Sequence, residues 1–500
     1  MGRVSDRHEA LNRVRDLLTG ADYTVAGVRA LLGPVAGGAL ARDEVVPALR
    51  ATGGGSPLEA LTRLLWIQEP VPADALEGAA DLVAAGLAAG SGGELRPLLH
   101  VEPLESVTGT GHVGYAVSDL KVRPGSGERV RPDHVVGVGG ASGSLARLVV
   151  HSPVDNVLDL GTGCGVQALH VADPAVRPRP AALTATDVNP RALRLAAMGF
   201  ALSGLDGVEL LEGSLLEPVR GRRFDLVVSN PPFVVAPSGG ERYVYRESGM
   251  AGDEFCRRLV TGAQEMLTEQ GYCQLLANWL HVGGVPWEER VGAWAAASGC
   301  EAWIVQRDVQ DPAEYAELWL RDSVETGTPE YRRRYAEWLE DFERQGVTGV
   351  GFGWITLRRT GAADPAVRVE ELRHPVEQPV GAYVDRVVDG LAAAQGFSTS
   401  CAQLLRTAAG VVQEQIGAPG AEDPERILLR QTGRLGRAAG VHSVEAALAG
   451  VCDGTIPLEP LVGAIAQLMG LAEDEVRAHA AAVLPELIAD GFFEVVPDGV

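Results

Sequence analysis

Residues 154–165 read VDNVLDLGTGCG and residues 224–233 read FDLVVSNPPF, and the reading of these two stretches decides the fold. The first is a short apolar strand, Val157-Leu158-Asp159-Leu160, running into a turn with glycine at 161, 163 and 165. Glycine lets the backbone take positive φ and approach a ligand closely. A helical stretch, VQALHVA, starts at Val166, so its free N–H groups and the positive end of its dipole face that ligand. Strand, glycine turn and helix in this order open a doubly wound α/β nucleotide-binding domain.

Dinucleotide dehydrogenases use a similar glycine turn, and three further features separate the two readings. The strand carries an acid, Asp159, ahead of a turn that reads GTGCG rather than GxGxxG. The next strand, ALTATDV (182–188), ends in Asp187, placed to accept both hydroxyls of a ribose. The fourth strand ends in Asn230-Pro231-Pro232-Phe233. An amide or exocyclic amine nitrogen is conjugated and a poor nucleophile. An Asn oxygen and a carbonyl held by proline can accept both of its hydrogens and draw lone-pair density out of the plane. The two prolines fix φ and remove competing N–H donors. The aromatic ring at 233 offers a face for a planar group.

The combination resembles the class I S-adenosylmethionine-dependent methyltransferases. Within them it is similar to the group whose NPP[FY] motif marks methylation of a planar nitrogen, which includes the release-factor glutamine and ribosomal-RNA guanine-N2 enzymes of the methyltransferase small domain type. The resemblance covers roughly residues 130 to 300. It implies a Rossmann-like seven-stranded sheet of order 3-2-1-4-5-7-6 with strand 7 antiparallel, and S-adenosylmethionine as cofactor. Gly161 and Gly163 would touch the methionine part of the donor, within a turn that Thr162 and Gly165 complete, and Asp159 would lie near its ammonium. Asp187, with Val188 and Asn189, would hold the ribose. Ser214, in the turn after the strand VELLEG, would contact the adenine. Asn230 would border the cofactor and orient the acceptor nitrogen together with the Pro231 carbonyl, while Pro232 stiffens the motif and Phe233 stacks on the substrate. Tyr245 and Arg246, in the long loop VVAPSGGERYVYRESGMAGDEF, are candidates for orienting substrate; Asp253 at its end is a candidate too, or else a helix cap.

The acceptor class stays open at this point. Protein glutamine, a base of ribosomal or transfer RNA, and a peptide or natural product with an oxygen acceptor are alternatives. A regulatory or scaffold protein of the same fold is the non-enzymatic one, against which the intact Asp159, Asp187 and Asn230 argue. With 43 Lys and Arg against 66 Asp and Glu, the net charge is −23. Such a chain disfavours broad binding to nucleic acid or an anionic membrane and favours a protein or peptide substrate over RNA. Lys121 is the only lysine. The six cysteines lack CxxC spacing, which fits a reduced, cytoplasmic setting, and no metal site is expected from them or from the ten histidines. No signal peptide and no membrane-spanning apolar run is read. Cys164 is read as turn packing, not as a nucleophile.

The five hundred residues divide into four regions on this reading. Residues 1–98 read as amphipathic helices followed by a strand pair, a winged-helix-like succession whose few basic residues favour packing or substrate docking over DNA. Residues 99–150 alternate as strands with turn glycines and lead over the active site, with His134, Gly139, Ser142 and Ser144 as candidate neighbours of the cofactor. Residues 151–360 form the catalytic core and carry a charged helical insertion, in which Trp319, Tyr335 and Trp338 are read as core. Residues 361–500 begin with a strand and an amphipathic helix and continue as mainly helical pieces, among them CAQLLRTAAGVVQEQIG, ending in a helix and FFEVV that resemble the last helix and wing of a winged-helix unit.

Overall fold

The computed structural model describes residues 2–122, 130–237, 249–321, 326–397, 403–419, 424–433 and 435–496. Its central sheet has eight strands: β1 (Asn156–Leu160), β2 (Ala182–Asp187), β3 (Glu209–Glu212), β4 (Phe224–Ser229), β5 (Leu267–Val282), β6 (Glu301–Gln310), β7 (Val347–Arg358) and β8 (Val367–Glu371). Their spatial order is β8-β6-β7-β5-β4-β1-β2-β3. β7 runs antiparallel to both neighbours, and the other pairings are parallel. The order 3-2-1-4-5-7-6 is therefore present, with an eighth strand added.

That strand moves the end of the core from residue 360 to 371. β8 pairs in parallel with residues Ala302–Gln306 and covers the edge that β6 would otherwise leave open. The sequence expectation placed VRVEE in the C-terminal region, because a strand's partner is not written in its own alternation. Glu370 of β8 accepts from Arg437 Nη2 at 2.6 Å, and Arg368 and Arg437 both bond Asp490, so the C-terminal region is tied to the sheet through the same strand.

Successive residues of the parallel strands are buried on opposite faces. Val157 belongs to one apolar cluster, and Leu158 and Leu160 to the other. Helices cover both faces, as parallel sheets require: α1 (Gly140–Leu148), α2 (Val166–Val171), α3 (Pro190–Leu202), α4 (Glu254–Thr261) and α5 (Trp287–Ser298). The insertion between β6 and β7 forms α6 (Pro312–Arg321) and α7 (Pro329–Gln345).

The N-terminal region has helices Gly2–Gly20, Val25–Leu40 and Val46–Ala51, a helical stretch from Pro57 to Ile67, and helix Ala79–Ala85 ahead of the hairpin Ala88–Ser91 and Glu94–Pro97. It is not a separately packed body. Leu11, Val14 and Leu18 share one apolar cluster with Met198 and Leu202 of α3. The hairpin His100–Glu105 and His112–Ser118 bridges the two, with Tyr115 N–H donating to Ser203 Oγ at 2.8 Å. Gly199 permits this approach: a Cβ there would lie 2.8 Å from the Tyr115 carbonyl oxygen.

One C-terminal expectation is corrected. The described part of CAQLLRTAAGVVQEQIG is not helical but forms strands Leu404–Thr407 and Val411–Ile416. Gly410, at φ 82°, breaks any helix between them, and the β-branched Val411, Val412 and Ile416 suit a pleated surface. The first pairs antiparallel with Phe493–Val496 and the second with Arg426–Gln431. Four helices, Gly381–Gln395, Ser443–Val451, Leu458–Met469 and Glu473–Ala489, complete the region. No helix among the described residues is long and apolar enough to cross a membrane.

Candidate functional site

Parallel strands that start together end together, so the tips of β1, β2, β3 and β4 meet at one edge of the sheet. At the tip of β1, Gly161 and Gly163 take φ of 75° and 57°, which an L side chain rarely adopts. Nothing stands within 4 Å of the point where a side chain would begin at either residue. The turn is pinned to β2: the N–H groups of Gly161 and Thr162 donate to the Thr186 carbonyl at 2.9 and 2.8 Å. Gly165, φ 83°, answers a packing demand, since a Cβ there would come within 2.6 Å of the Phe200 ring.

Asp159 is fully buried beneath this turn. Its Oδ2 accepts from Thr162 Oγ1 at 2.7 Å and from Ala168 N–H at 3.1 Å, while Oδ1 is buried without a hydrogen-bond partner. Burial pushes the carboxyl up to about 7 against those two bonds. Cys164 lies buried in the same turn, and burial, followed by the charge of Glu102, pushes its thiol up to about 12, which removes it as a nucleophile.

At the tip of β2, Asp187 accepts Gly163 N–H on Oδ2 at 2.9 Å and Asn189 N–H on Oδ1 at 2.8 Å, and burial raises its carboxyl against these bonds. Each oxygen keeps a lone pair for a further donor. Val188 beside it is 54% exposed, an apolar side chain left uncovered at a strand tip. Asn189 is committed elsewhere: Oδ1 caps α3 through Arg191 N–H at 2.9 Å and Nδ2 donates to the Asp133 carbonyl at 2.9 Å. The turn after β3 is drawn alongside by Gly213 N–H donating to the Asp187 carbonyl at 3.1 Å, and Ser214 is exposed there.

β4 ends beside β1, where Ser229 Oγ donates to the Leu160 carbonyl at 2.8 Å. Asn230 follows, and its Oδ1 is buried without a hydrogen-bond partner. Pro231 is buried, whereas Pro232 and Phe233 are half-buried. The Phe233 ring meets Trp319 of α6 edge-on, with centroids 6.5 Å apart, so the insertion roofs the motif. Trp338 is buried in the same cluster, with Trp319 and Tyr335 packed against it. Tyr245 and Arg246 lie outside the described residues. Asp253 is occupied by a bidentate pair with Arg290, at 2.5 and 2.7 Å, and by Leu280 N–H.

Two contributors escaped the sequence reading. Tyr315 of α6 is wholly buried, and its hydroxyl accepts from Val235 N–H at 3.0 Å and from Asn278 Nδ2 at 2.9 Å, fixing the chain as it leaves the Asn-Pro-Pro-Phe motif. Asp119 accepts from Val135 N–H at 2.9 Å and from Arg191 Nε at 3.0 and 3.1 Å. Burial raises its carboxyl, but these bonds, Arg191's foremost, outweigh that and hold it below the ordinary range. Asp119 thereby fastens the upstream segment to the start of α3. In that segment His134 sits 3.8 Å from Asp119, and the Ser142 carbonyl accepts from Gln167 Nε2 at 2.9 Å, tying α1 to α2. Alternation in AVSDLK marks Asp119 as a strand-end acid and nothing more.

These groups fit a sulfonium nucleoside. The orphaned Oδ1 of Asp159 suits an ammonium, the free lone pairs of Asp187 suit ribose hydroxyls, and Val188 leaves an apolar side chain uncovered beside them.

Comparison with known proteins agrees with this geometry. Residues 138–282 match the family model "Methyltransferase small domain", and residues 20–98 match a domain of unknown function, DUF7059. The chain is 36% identical over 137 residues to a release factor glutamine methyltransferase of Xylella fastidiosa, covering 26% of this chain and 49% of that one. It is 53% identical over 78 residues to the protein of that name from Deinococcus radiodurans, covering 16% and 26%. A ribosomal protein uL3 glutamine methyltransferase of Bradyrhizobium diazoefficiens is 33% identical over 142 residues, covering 26% and 44%. The chain thus spans half or less of the length of each of these relatives. With the sheet order, the GTGCG turn, Asp187 and the Asn-Pro-Pro-Phe tip together on one edge, the chain carries a class I S-adenosylmethionine-dependent methyltransferase domain of the NPPF group.

Proposed function

We propose that the chain methylates the side-chain amide nitrogen of a glutamine in a protein substrate. The observation that carries this reading is the buried, unpartnered Oδ1 of Asn230 at the tip of β4, next to the open glycine turn of β1. A primary amide brings two N–H donors to such an acceptor. The names of the relatives support a glutamine in a protein over a nucleic-acid base, and the net charge of −23 points the same way.

S-adenosylmethionine supplies an electrophilic methyl on its sulfonium. The chain's own residues bind and orient. Asp159 would hold the ammonium end of the donor and Asp187 its ribose. Asn230 Oδ1 accepts one amide hydrogen and the Pro231 carbonyl the other, which draws the nitrogen lone pair out of conjugation with the amide carbonyl; on methylation the nitrogen gives up one of these two protons, which passes to solvent. Phe233, backed by Trp319, covers the acceptor plane and keeps water out. Ser229 and Tyr315 hold the motif from both sides. The rate gain on this reading comes from fixing two reactants in register and excluding solvent.

The test is transfer of labelled methyl from S-adenosylmethionine into cell extract divided into RNase-treated and protease-treated halves, with the labelled product digested and sequenced by mass spectrometry. Label surviving RNase and mapping to a glutamine supports the proposal. Label lost with RNase, or mapping to a carboxylate or hydroxyl, rejects it.

A further inference from the structure

A cavity of about 520 Å³ opens among the N-terminal helices, away from the strand tips that hold the Asn-Pro-Pro-Phe motif. Most of its wall is apolar, with Val28, Leu32 and Trp66 prominent, but Glu102, Lys121 and Gln68 also line it. Its size and mixed lining are those of a ligand site. One feature of the wall is left unresolved by the fold itself. Oε2 of Glu102 is buried without a hydrogen-bond partner. Gln68 holds φ at 65° as the residue that closes the helical stretch ending at Ile67, its N–H donating to the Arg63 carbonyl.

The chemistry of the polar corner is specific. His100 lies 4.0 Å from Oε2 and is wholly buried, and burial, with Lys121 adding to it, drives that imidazole down to about 3, so it stays neutral and offers no counter-charge. Burial lifts the Glu102 carboxyl to about 7, with Lys121 opposing the rise. Glu102 therefore needs a hydrogen-bond donor, while Lys121, the only lysine of the chain, offers one. A backbone amide brings one donor and one acceptor next to a side chain. A fatty acid would instead place its own anion against Glu102.

We propose that this cavity receives an apolar side chain of the protein substrate, with the flanking backbone N–H meeting Glu102 and the backbone carbonyl meeting Lys121. This rests on the reading of a protein acceptor and adds to it an anchor outside the methyl-transfer site.

The test uses the full chain with N-acetyl-tryptophanamide, N-acetyl-leucinamide and octanoate as probes, titrated by saturation-transfer NMR. Gly37 lines the cavity, and a Cβ there meets nothing within 4 Å, so Gly37→Leu adds bulk to the wall with no clash at its first carbon. The two amides should bind the unaltered chain, and Gly37→Leu should weaken both by about tenfold or more. Glu102→Leu, the second variant, should weaken the amides and leave octanoate no worse. S-adenosylhomocysteine binding reports that each variant is folded. Octanoate binding in preference to the amides, amides bound equally by both variants, or no saturable binding of any probe overturns the proposal. Because the readout is probe binding and not methyl transfer, amides that bind a chain labelling only RNA would reject the protein-acceptor reading while leaving the cavity assigned.

Discussion

Replacing Asp159 with asparagine should make the ligand-free protein more stable above neutral pH while weakening its hold on the donor. Asp159 is fully buried, and burial lifts its carboxyl from an ordinary 3.8 to about 7. A group that binds its proton more tightly when folded stabilises the fold below its unfolded pKa, and that contribution is lost as pH rises towards the folded one. Three decades of proton affinity at ~1.4 kcal/mol each amount to about 4 kcal/mol, lost between roughly pH 4 and pH 7. Asparagine keeps an oxygen for Thr162 Oγ1 and Ala168 N–H, and its amide replaces the unpartnered Oδ1. Urea unfolding at pH 5 and pH 8 should therefore show Asp159→Asn more stable than the parent by about 1.5–2 kcal/mol at the lower pH and by up to about 4 kcal/mol at the higher. Calorimetric titration with S-adenosylhomocysteine should show the variant's affinity reduced at least about tenfold, the scale of a lost charge-assisted hydrogen bond. The same stability gap at both pH values, or undiminished ligand affinity, would refute the reasoning.

Asn230→Ala should lower kcat by about 10²–10³-fold, the scale of losing one oriented polar group, with donor affinity within about twofold of the parent; steady-state kinetics paired with donor titration decide, and equal losses in both count against an acceptor-orienting role. Tyr315→Phe leaves Val235 N–H and Asn278 Nδ2 without their oxygen. It should cost about 2–4 kcal/mol in urea unfolding and reduce kcat with little change in KM for the donor. Gly165→Ala combines a left-handed φ of 83° with a Cβ 2.6 Å from the Phe200 ring. It should destabilise by about 2–4 kcal/mol, and trimming the ring in the double variant with Phe200→Leu should recover part of that.

The catalytic half of the molecule was legible because its signals are local. GTGCG must sit at positive φ, Asp187 must end a strand, and Asn-Pro-Pro cannot continue one. Helix Val25–Leu40 likewise breaks at Gly33, φ 65°, where YTVAGVRALLG ends on its glycine. What stayed hidden depends on partners far along the chain. Tyr315 reads as one more apolar-face residue of AEYAELWL, and only folding brings its hydroxyl to Val235, eighty positions earlier. VRVEE carries its alternation openly, yet nothing in it names β6 as its neighbour. In CAQLLRTAAGVVQEQIG, helix-favouring alanine and leucine outvoted Val411, Val412 and Gly410, and sheet pairing overrode that local preference. The Asp119–Arg191 tie spans seventy-two positions and leaves no periodic trace.

Strand β8 serves two masters. It closes the flank of the catalytic sheet, and through Glu370, Arg368, Arg437 and Asp490 it is also the hinge pin of the C-terminal helices. Severing the polypeptide at the boundary its composition suggests would strip β6 of its parallel companion and bare a row of amide groups to any strand in solution. The tail of this molecule is therefore tied to its catalytic half, and a truncation that spared the sheet would have to fall beyond residue 371 and would still leave Arg368 and Glu370 without Asp490 and Arg437.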